Sequence, residues 1–397
     1  MNIIEYSEKK GIYDFKDKPF CEVDSLVISQ LSYLKFEGII PGPSEGKDGI
    51  VLKDITNHPK YDSIYHDERY RDINTKFFNA LCNSKRFGSL ILNNFIDVID
   101  ESLNIQFSAM TVEDGKGFKY LVFRGTDDSM IGWKEDLNMT FKTPVPAQKY
   151  SVEYLERIAS LWEGNFIVGG HSKGGNLAVY SSMNCEKSVR DRIISIFSHD
   201  GPGFRAELLK DSCYDDVKDR IRKYVPKSAV VGMFGNVEEF SVVDCKKGGV
   251  KQHNPYNWII KDFEFKKTEH IAKRSALQAD AINIWASEMT PEKWALLSEQ
   301  IFGVFEDAGV TNLNEFNDDF FGTLSRVRAS AEKMDDESKE QIKDILGMFR
   351  ESATTVAKEE AMENVANAEQ NFIKARNATA ATAKKVKEAI SKKDDNK

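Results

Sequence analysis

Long apolar runs are missing from this sequence. No stretch approaches the roughly 18 apolar residues of a membrane-spanning helix, so integral membrane association is not expected. Cysteine is scarce as well: the five cysteines are scattered and include no Cys-x-x-Cys pair, which argues against a disulfide framework or a zinc site. The first residues carry charge where a secretory signal needs an apolar core. Together these features favour reduced thiols and a cytoplasmic location.

Positive charge is also in short supply. The chain has 55 Lys and Arg against 63 Asp and Glu, a formal net charge of −8, which argues against a dedicated nucleic-acid-binding protein. A phosphate-binding loop of the form Gly-x4-Gly-Lys-Ser/Thr is absent. With 397 residues, of which 41% are hydrophobic, the chain can form one large α/β domain with additions, or two domains.

Through the middle of the chain, apolar segments alternate between strand and helix patterns. Strands are predicted at 106–112, 119–123, 166–169, 193–197, 229–233 and 240–244, and helices at 25–36, 75–99, 150–162, 174–185, 291–306 and across 204–224. This alternation predicts a mostly parallel sheet with helices on both faces. We expect an N-terminal helical cap at 1–104, an α/β core at 105–270, a helical region packed on it at 271–328, and a helical or partly disordered tail at 329–397.

A Gly-x-Ser-x-Gly motif stands between a short apolar strand and a helix, the setting of the nucleophile elbow in α/β-hydrolases. Gly170 and Gly174 occupy the positions two before and two after Ser172, where a tight turn leaves no room for a Cβ. Ser172 is therefore the candidate nucleophile, and the backbone N–H of Lys173 would point at the developing oxyanion. The alternative is a glycine-rich turn whose serine merely caps the helix.

The nucleophile of this fold is followed along the chain by an acid and then a histidine. Of the six histidines, His199, His253 and His270 lie downstream of Ser172. His253 is the candidate base because it lies in a loop directly after the last predicted strand, from which an imidazole can reach the serine. The alternative is a loop histidine packed on Trp258.

Asp200 is the candidate acid, since it follows the strand after the nucleophile helix, at the sheet edge where α/β proteins place their chemistry. It would orient His253 and stabilise the imidazolium. Two alternatives stay open: Asp200 could instead cap a helix or order the following Gly-Pro-Gly turn, and Asp244, nearer His253 in sequence, could be the acid.

A second oxyanion donor is expected after an early strand. The strand at 119–123 runs into Gly125, whose missing side chain lets the backbone approach a ligand, and Thr126 offers an N–H and a hydroxyl. Trp133 and Asp136 could pin this loop. Arg124 and Asp127, on either side of the donor, are expected to form structural ion pairs.

Taken together, these segments resemble a family. Phe-Arg-Gly-Thr-Asp at 123–127, followed by Trp133 and Asp136-Leu137, is similar to the oxyanion region of class 3 (fungal-type) lipases. More closely, the chain resembles the bacterial lipase-like proteins often labelled Mbeg-like, over roughly residues 20–310. The segments that carry this are Leu31-Ser32-Tyr33-Leu34, 123–127, 132–137, 170–180, 200–204, Tyr224-Val225-Pro226, Val231-Gly232-Met233 and Gln252-His253-Asn254-Pro255.

The resemblance implies an α/β-hydrolase core, Ser172 as nucleophile, His253 as base, and Thr126 with Lys173 at the oxyanion hole. One departure concerns the acid. Class 3 lipases carry it just before a Val-Pro after the next strand, whereas the equivalent segment here, 224–228, has no Asp. Asp200 would then substitute from one strand earlier.

The expected activity is that of a cytoplasmic serine esterase or lipase acting on a lipid-like carboxylic ester, such as a phospholipid or a glyceride, without a metal or an organic cofactor. A thioester is an equally compatible substrate. The alternative is a catalytically silent scaffold of the same fold that binds a partner, or itself, through residues 329–397. Helices from residues 20–100 or 270–310 are candidates for a lid.

Overall fold

The fold was analysed in a computed structural model, which describes residues 1–65, 68–100, 102–127, 129–139, 142–205, 208–210, 212–235, 239–272, 275–276, 279, 283, 290–310, 320–340 and 343. The tail expected at 329–397 lies outside these residues from 344 onward. No helix among the described residues is long and apolar enough to cross a membrane.

Eleven strands occur in the described part of the chain, and nine of them form one sheet in the order β1-β2-β3-β4-β5-β6-β7-β8-β11. They are β1 Ile50–Val51, β2 Ile91–Asp100, β3 Ile105–Glu113, β4 Lys119–Phe123, β5 Phe166–His171, β6 Ile193–His199, β7 Ile221–Pro226, β8 Phe240–Val243, β9 Ile260–Lys261, β10 Glu264–Phe265 and β11 Lys267–Thr268. Neighbours from β4 to β8 pair in parallel, and the strands at both edges pair antiparallel.

The described α-helices cover both faces of this sheet. They are α1 Ile3–Lys10, α2 Glu22–Leu31, α3 Glu68–Cys82, α4 Met130–Met139, α5 Pro146–Leu161, α6 Lys173–Asn184, α7 Lys187–Arg190, α8 Ser212–Asp215, α9 Pro291–Asp307 and α10 Phe320–Ala331. As predicted, α9 begins at Pro291, and the Thr290 hydroxyl accepts the Lys293 N–H at 3.3 Å to cap it.

Two hydrophobic cores lie on opposite faces of the sheet, because side chains along a strand alternate in direction. In β3, Met110 and Val112 pack with the helices of the first hundred residues, whereas Phe107 and Ala109 pack with α5 and α6. The central strands are therefore buried on both sides, as parallel sheets require. The protein has an α/β fold with a mostly parallel sheet, as expected.

Several predicted elements differ from the structure. The helix predicted over 75–99 is wrong in its second half: α3 ends at Cys82, and β2 pairs antiparallel with β3. The cap region thus contributes β1 and β2 to the sheet, because the buried β3 needs a partner on its outer side.

Two predictions after residue 204 were also wrong. The helical pattern across 204–224 includes the start of β7 at Ile221. The strand predicted at 229–233 is a loop with a 3-10 turn at Val231–Met233. In this turn the Gly232 N–H donates to the Asp200 carboxylate at 3.1 Å. In a strand, the same N–H would bond to the backbone of the neighbouring strand instead.

Candidate active site

Ser172 occupies the turn between β5, which ends at His171, and α6, which begins at Lys173. Its backbone has φ 57° and ψ −132°, a conformation that costs a residue with a side chain about 1–3 kcal/mol. The turn is held because the Ser172 N–H donates to the His199 carbonyl at 2.9 Å and its carbonyl accepts the Gly175 N–H at 2.9 Å. These hydrogen bonds on both sides of Ser172 hold its strained backbone in place.

Gly170 and Gly174 bring this turn against the end of β4. A Cβ on Gly170 would lie 2.6 Å from the Phe123 carbonyl oxygen, and one on Gly174 would lie 2.8 Å from the Phe123 carbonyl carbon. Contacts this short with backbone cannot be relieved by a side-chain rotation. The two glycines thus permit the close approach that the elbow requires at this point.

The structure brings three predicted site residues together. His253 Nε2 lies 3.0 Å from Ser172 Oγ, and His253 Nδ1 lies 2.6 Å from Asp200 Oδ2. An ionised carboxylate only accepts, so the Nδ1 proton points at Asp200 and the Nε2 lone pair faces the serine hydroxyl. This is the hydrogen-bond order needed to draw a proton from the serine.

Asp200 is buried, and both carboxylate oxygens have partners. Oδ1 accepts the Gly232 N–H at 3.1 Å, and Oδ2 faces His253. Burial raises the pKa of Asp200, against the opposite effect of the His253 hydrogen bond. The alternative acid, Asp244, is engaged elsewhere, since its Oδ2 lies 2.6 Å from the Lys266 ammonium.

The backbone around His253 is fixed at three points. The Gln252 side-chain oxygen accepts the Ser228 N–H at 2.7 Å, and the Gln252 carbonyl accepts the Trp258 indole N–H at 2.8 Å. The carbonyl of His253 itself faces His171 Nε2 at 2.8 Å. Trp258 thus bonds to the backbone that carries His253, while the His253 ring remains directed at Ser172.

The two predicted oxyanion donors lie on chain segments that meet at the Ser172 turn. A Cβ on Gly125 would lie 3.0 Å from the Ser172 Cβ, so Thr126 follows a residue in direct contact with the elbow. The Thr126 hydroxyl donates to Asp136 Oδ2 at 2.6 Å, and burial raises the pKa of Asp136 to about 6 although the Lys173 ammonium lowers it. The Lys173 N–H is at the first position of α6, where the helix dipole favours negative charge.

The Lys173 side chain has a role that sequence reasoning missed. Its buried ammonium donates to Glu135 Oε2 at 3.0 Å and to two oxygens of Gln106 at 2.7 and 2.8 Å. Glu135 is also buried and accepts the backbone N–H groups of Ala147 and Gln106 at 2.8 and 3.2 Å. A lysine beside the candidate nucleophile is the only sequence signal for this pair, which ties α4 to the elbow.

The other histidines that the structure describes are not placed to act as the base. His199 is fully buried, with Nε2 2.8 Å from Ser25 Oγ, and burial lowers its pKa to about 3. His171 bonds through Nδ1 to the Tyr33 hydroxyl at 3.0 Å. His270 is exposed. His58 accepts the Lys60 N–H in an exposed turn, and His66 lies outside the described residues.

Arg124 and Asp127 form ion pairs, as expected. The guanidinium of Arg124 bonds to both carboxylate oxygens of Asp97 at 2.9 and 2.7 Å, and Asp127 Oδ2 lies 3.6 Å from the same group. Among the described residues, no group of three or more His, Cys, Asp or Glu side chains is arranged to hold a metal ion.

Comparison with solved structures finds similarity to lipases. A crystal structure of M37 lipase is 16% identical, covering 53% of this chain and 69% of that one, with a TM-score of 0.34. A triacylglycerol lipase described as having a serine protease triad is 14% identical, with coverages of 57% and 79% and a TM-score of 0.34. A lipase from Rhizopus microsporus var. chinensis is 16% identical, with coverages of 56% and 82% and a TM-score of 0.31.

No curated protein sequence matches the chain significantly. A family model described as Mbeg1-like matches residues 81–303, more than half of the 397 residues. The matched segment contains Ser172, Asp200 and His253, together with both predicted oxyanion donors. The protein therefore belongs to the Mbeg1-like family.

Proposed function

We propose that the protein is a serine hydrolase that cleaves a carboxylic ester, with Ser172 as nucleophile, His253 as general base and acid, and Asp200 as the orienting carboxylate. The observation that carries the proposal is the unbroken chain of hydrogen-bond distances, 3.0 Å from Ser172 Oγ to His253 Nε2 and 2.6 Å from His253 Nδ1 to Asp200 Oδ2. A histidine joined to a serine on one side and a buried carboxylate on the other can carry acyl transfer.

In the first half-reaction, Ser172 Oγ attacks the acyl carbon as its proton passes to His253 Nε2. The carbonyl electron pair moves to oxygen, and the resulting oxyanion is stabilised by the N–H groups of Lys173 and Thr126. Each such donor contributes about 10²–10³-fold to the rate. The imidazolium then protonates the leaving alkoxide, which leaves an acyl-serine.

The second half-reaction repeats these steps with water. His253 takes a proton from the attacking water, the acyl–serine bond breaks, and the imidazolium returns a proton to Ser172 Oγ. Asp200 remains ionised throughout, and it holds the Nδ1 proton while stabilising the imidazolium.

The proposed substrate class is a lipid-like ester, a phospholipid or a glyceride, as the family resemblance implies. The surface near the site is compatible with an acyl chain, because Trp133 on α4, three residues before Asp136, is 42% exposed. Thioesters remain within the proposal, since the same attack and the same oxyanion serve both bonds. The cytoplasm remains the proposed compartment, and fractionation of the producing cells would test it.

The decisive experiment is covalent labelling with a fluorophosphonate probe. We expect the folded protein to be labelled at Ser172 and the Ser172→Ala variant to be unlabelled. Ser160→Ala is the matched control, because Ser160 is exposed on α5 and its hydroxyl donates to the Arg157 carbonyl of the same helix. Failure of the folded protein to react would contradict the proposal.

A panel of p-nitrophenyl esters of increasing chain length then defines the acyl preference. Rising kcat/KM with chain length would support a lipid-like substrate, and activity confined to acetate would contradict it.

Association through residues 329–397 stays a prediction. Deleting the tail should leave ester hydrolysis unchanged, whereas loss of assembly on deletion would support the scaffold alternative.

A further inference from the structure

His171, the residue before the candidate nucleophile, has a hydrogen-bond partner on each ring nitrogen. Nε2 lies 2.8 Å from the His253 carbonyl, and Nδ1 lies 3.0 Å from the Tyr33 hydroxyl. A carbonyl can only accept, so Nε2 carries the proton. In the neutral ring Nδ1 is then the acceptor, and the Tyr33 hydroxyl must be its donor.

The surroundings of His171 keep it in this neutral form. The ring is 4% exposed, and its pKa is lowered well below the ordinary value, first by burial and then by the nearby His253. The titratable groups that face it are His253, His199 on β6 and Tyr33. Tyr33 in turn faces Arg124 and the carboxylates of Asp127 and Asp136.

The same ring packs against the imidazole that would perform the chemistry. The ring centroids of His171 and His253 are 4.6 Å apart, with 38° between the ring planes. A positive charge on His171 would therefore oppose the imidazolium that must form on His253 during acyl transfer. A neutral ring at this distance does not oppose that imidazolium. Its Nε2–H donates to the His253 carbonyl and so fixes the His253 backbone.

Tyr33 links this arrangement to the oxyanion loop. Its hydroxyl lies against Gly125, whose backbone N–H lowers the Tyr33 pKa, while its proton is given to His171 Nδ1. One hydroxyl thus connects the loop that leads to Thr126 with the histidine that supports His253. A Cβ on Gly125 would collide with this hydroxyl.

We propose that Tyr33 and His171 are positioning residues of the hydrolase site: the pair fixes the His253 backbone and keeps an uncharged imidazole against the catalytic one. The inference rests on the proposed function. It assigns roles to two residues that touch neither the acyl carbon nor its oxygen.

The test measures the rate constant for fluorophosphonate labelling between about pH 5 and pH 9. Labelling reports attack by Ser172 and does not require the natural substrate. The variants are His171→Leu, His171→Gln, Tyr33→Phe and the Tyr33→Phe/His171→Gln double variant. Tyr13→Phe is the matched control, since Tyr13 is 37% exposed.

We expect His171→Leu to be labelled about 10- to 100-fold more slowly, because the His253 backbone loses its donor. His171→Gln should recover most of this loss, since its amide N–H can donate to the same carbonyl. Wild-type labelling should fall with one proton on the acid side, because buried His171 stays neutral, and His171→Gln, which cannot titrate there, should keep the same slope. Tyr33→Phe loses the Gly125 contact at every pH and should be labelled more slowly without a change of slope.

The double variant should be slowed by less than the product of the two single losses, because Tyr33 acts partly through His171. Labelling of His171→Leu at the wild-type rate, or equally slow labelling of His171→Leu and His171→Gln, would overturn the positioning role. A two-proton slope in the wild type that becomes a one-proton slope in His171→Gln would overturn the charge-exclusion role. If His171→Leu unfolds, His171→Gln and Tyr33→Phe carry the test. Failure of the proposed function is distinguishable, because Ser172→Ala would then be labelled like the wild type.

Discussion

Removing one member of the buried Lys173–Glu135 pair should strongly destabilise the fold. The two side chains are 1% and 0% exposed, and their charged atoms are 3.0 Å apart. Leaving one charge of a buried pair without its counterpart typically costs about 3–5 kcal/mol. Glu135→Gln leaves the Lys173 ammonium with the neutral oxygens of Gln106 and with Asp136 Oδ1 at 4.0 Å, so we expect a loss in this range.

Lys173→Met should cost less, toward the lower end of about 3–5 kcal/mol, because Glu135 keeps two backbone N–H donors. In the Glu135→Gln/Lys173→Met double variant neither charge remains. Its loss of unfolding free energy should be smaller than the sum of the two single losses by about 2–3 kcal/mol. Urea unfolding of the wild type and the three variants gives this coupling energy. Additive losses would refute the reasoning, because they would mean that the two charges do not stabilise each other.

Three further changes probe the site. Asp200→Asn should lower kcat about 10⁴-fold with little change in KM, as expected for loss of the orienting carboxylate of a triad, and steady-state kinetics checks this. Between about pH 4 and pH 6 the wild type should lose about 1–3 kcal/mol of stability relative to Asp136→Asn as pH rises, because the pKa of Asp136 is about 6 in the folded and 3.8 in the unfolded protein; urea unfolding of both proteins at each pH measures this difference. Gly174→Ala should destabilise the fold by about 1–3 kcal/mol and slow fluorophosphonate labelling, because its Cβ meets the Phe123 backbone. Gly303→Ala on α9, with open space around it, is the control: it should stabilise the fold by up to about 1 kcal/mol through helix propensity and leave labelling unchanged.

The turn that holds Ser172 was predictable because its constraints are local. A short apolar strand, glycines two residues to either side of Ser172 and a following helix are all contained in one segment of the chain. The register of β4 beside β5 then brings Phe123 opposite Gly170, which explains why the glycines are needed. This part of the site could be predicted from the sequence because the residues that form it are neighbours along the chain.

The second half of the helix predicted over 75–99 was wrong because the apolar residues there fit both the helical and the strand periodicity. Only the pairing with β3 decides for a strand, with Leu92 opposite Val112 and Ile96 opposite Ala109. Such pairing is a tertiary constraint, and it overrides local propensity. The same reason explains why the Lys173–Glu135 pair was missed: its members lie 38 residues apart, and no local pattern joins them.

Backbone strain connects the predictable and the unpredictable parts of the site. Ser172 and Asp200 both have positive φ, 57° and 51°, although neither is glycine. Such a conformation costs about 1–3 kcal/mol and persists only where surrounding bonds fix it. The Asp200 N–H donates to the Tyr224 carbonyl at 2.7 Å, and the Ser172 N–H donates to the His199 carbonyl, so adjacent parallel strands hold both residues. The sheet can thus aim both side chains at His253, which lies 81 residues after Ser172 and 53 after Asp200. A proposed acid one strand earlier than in class 3 lipases is therefore compatible with the same hydrogen-bond order, since strand register and a local turn, rather than sequence spacing, set the direction of the carboxylate.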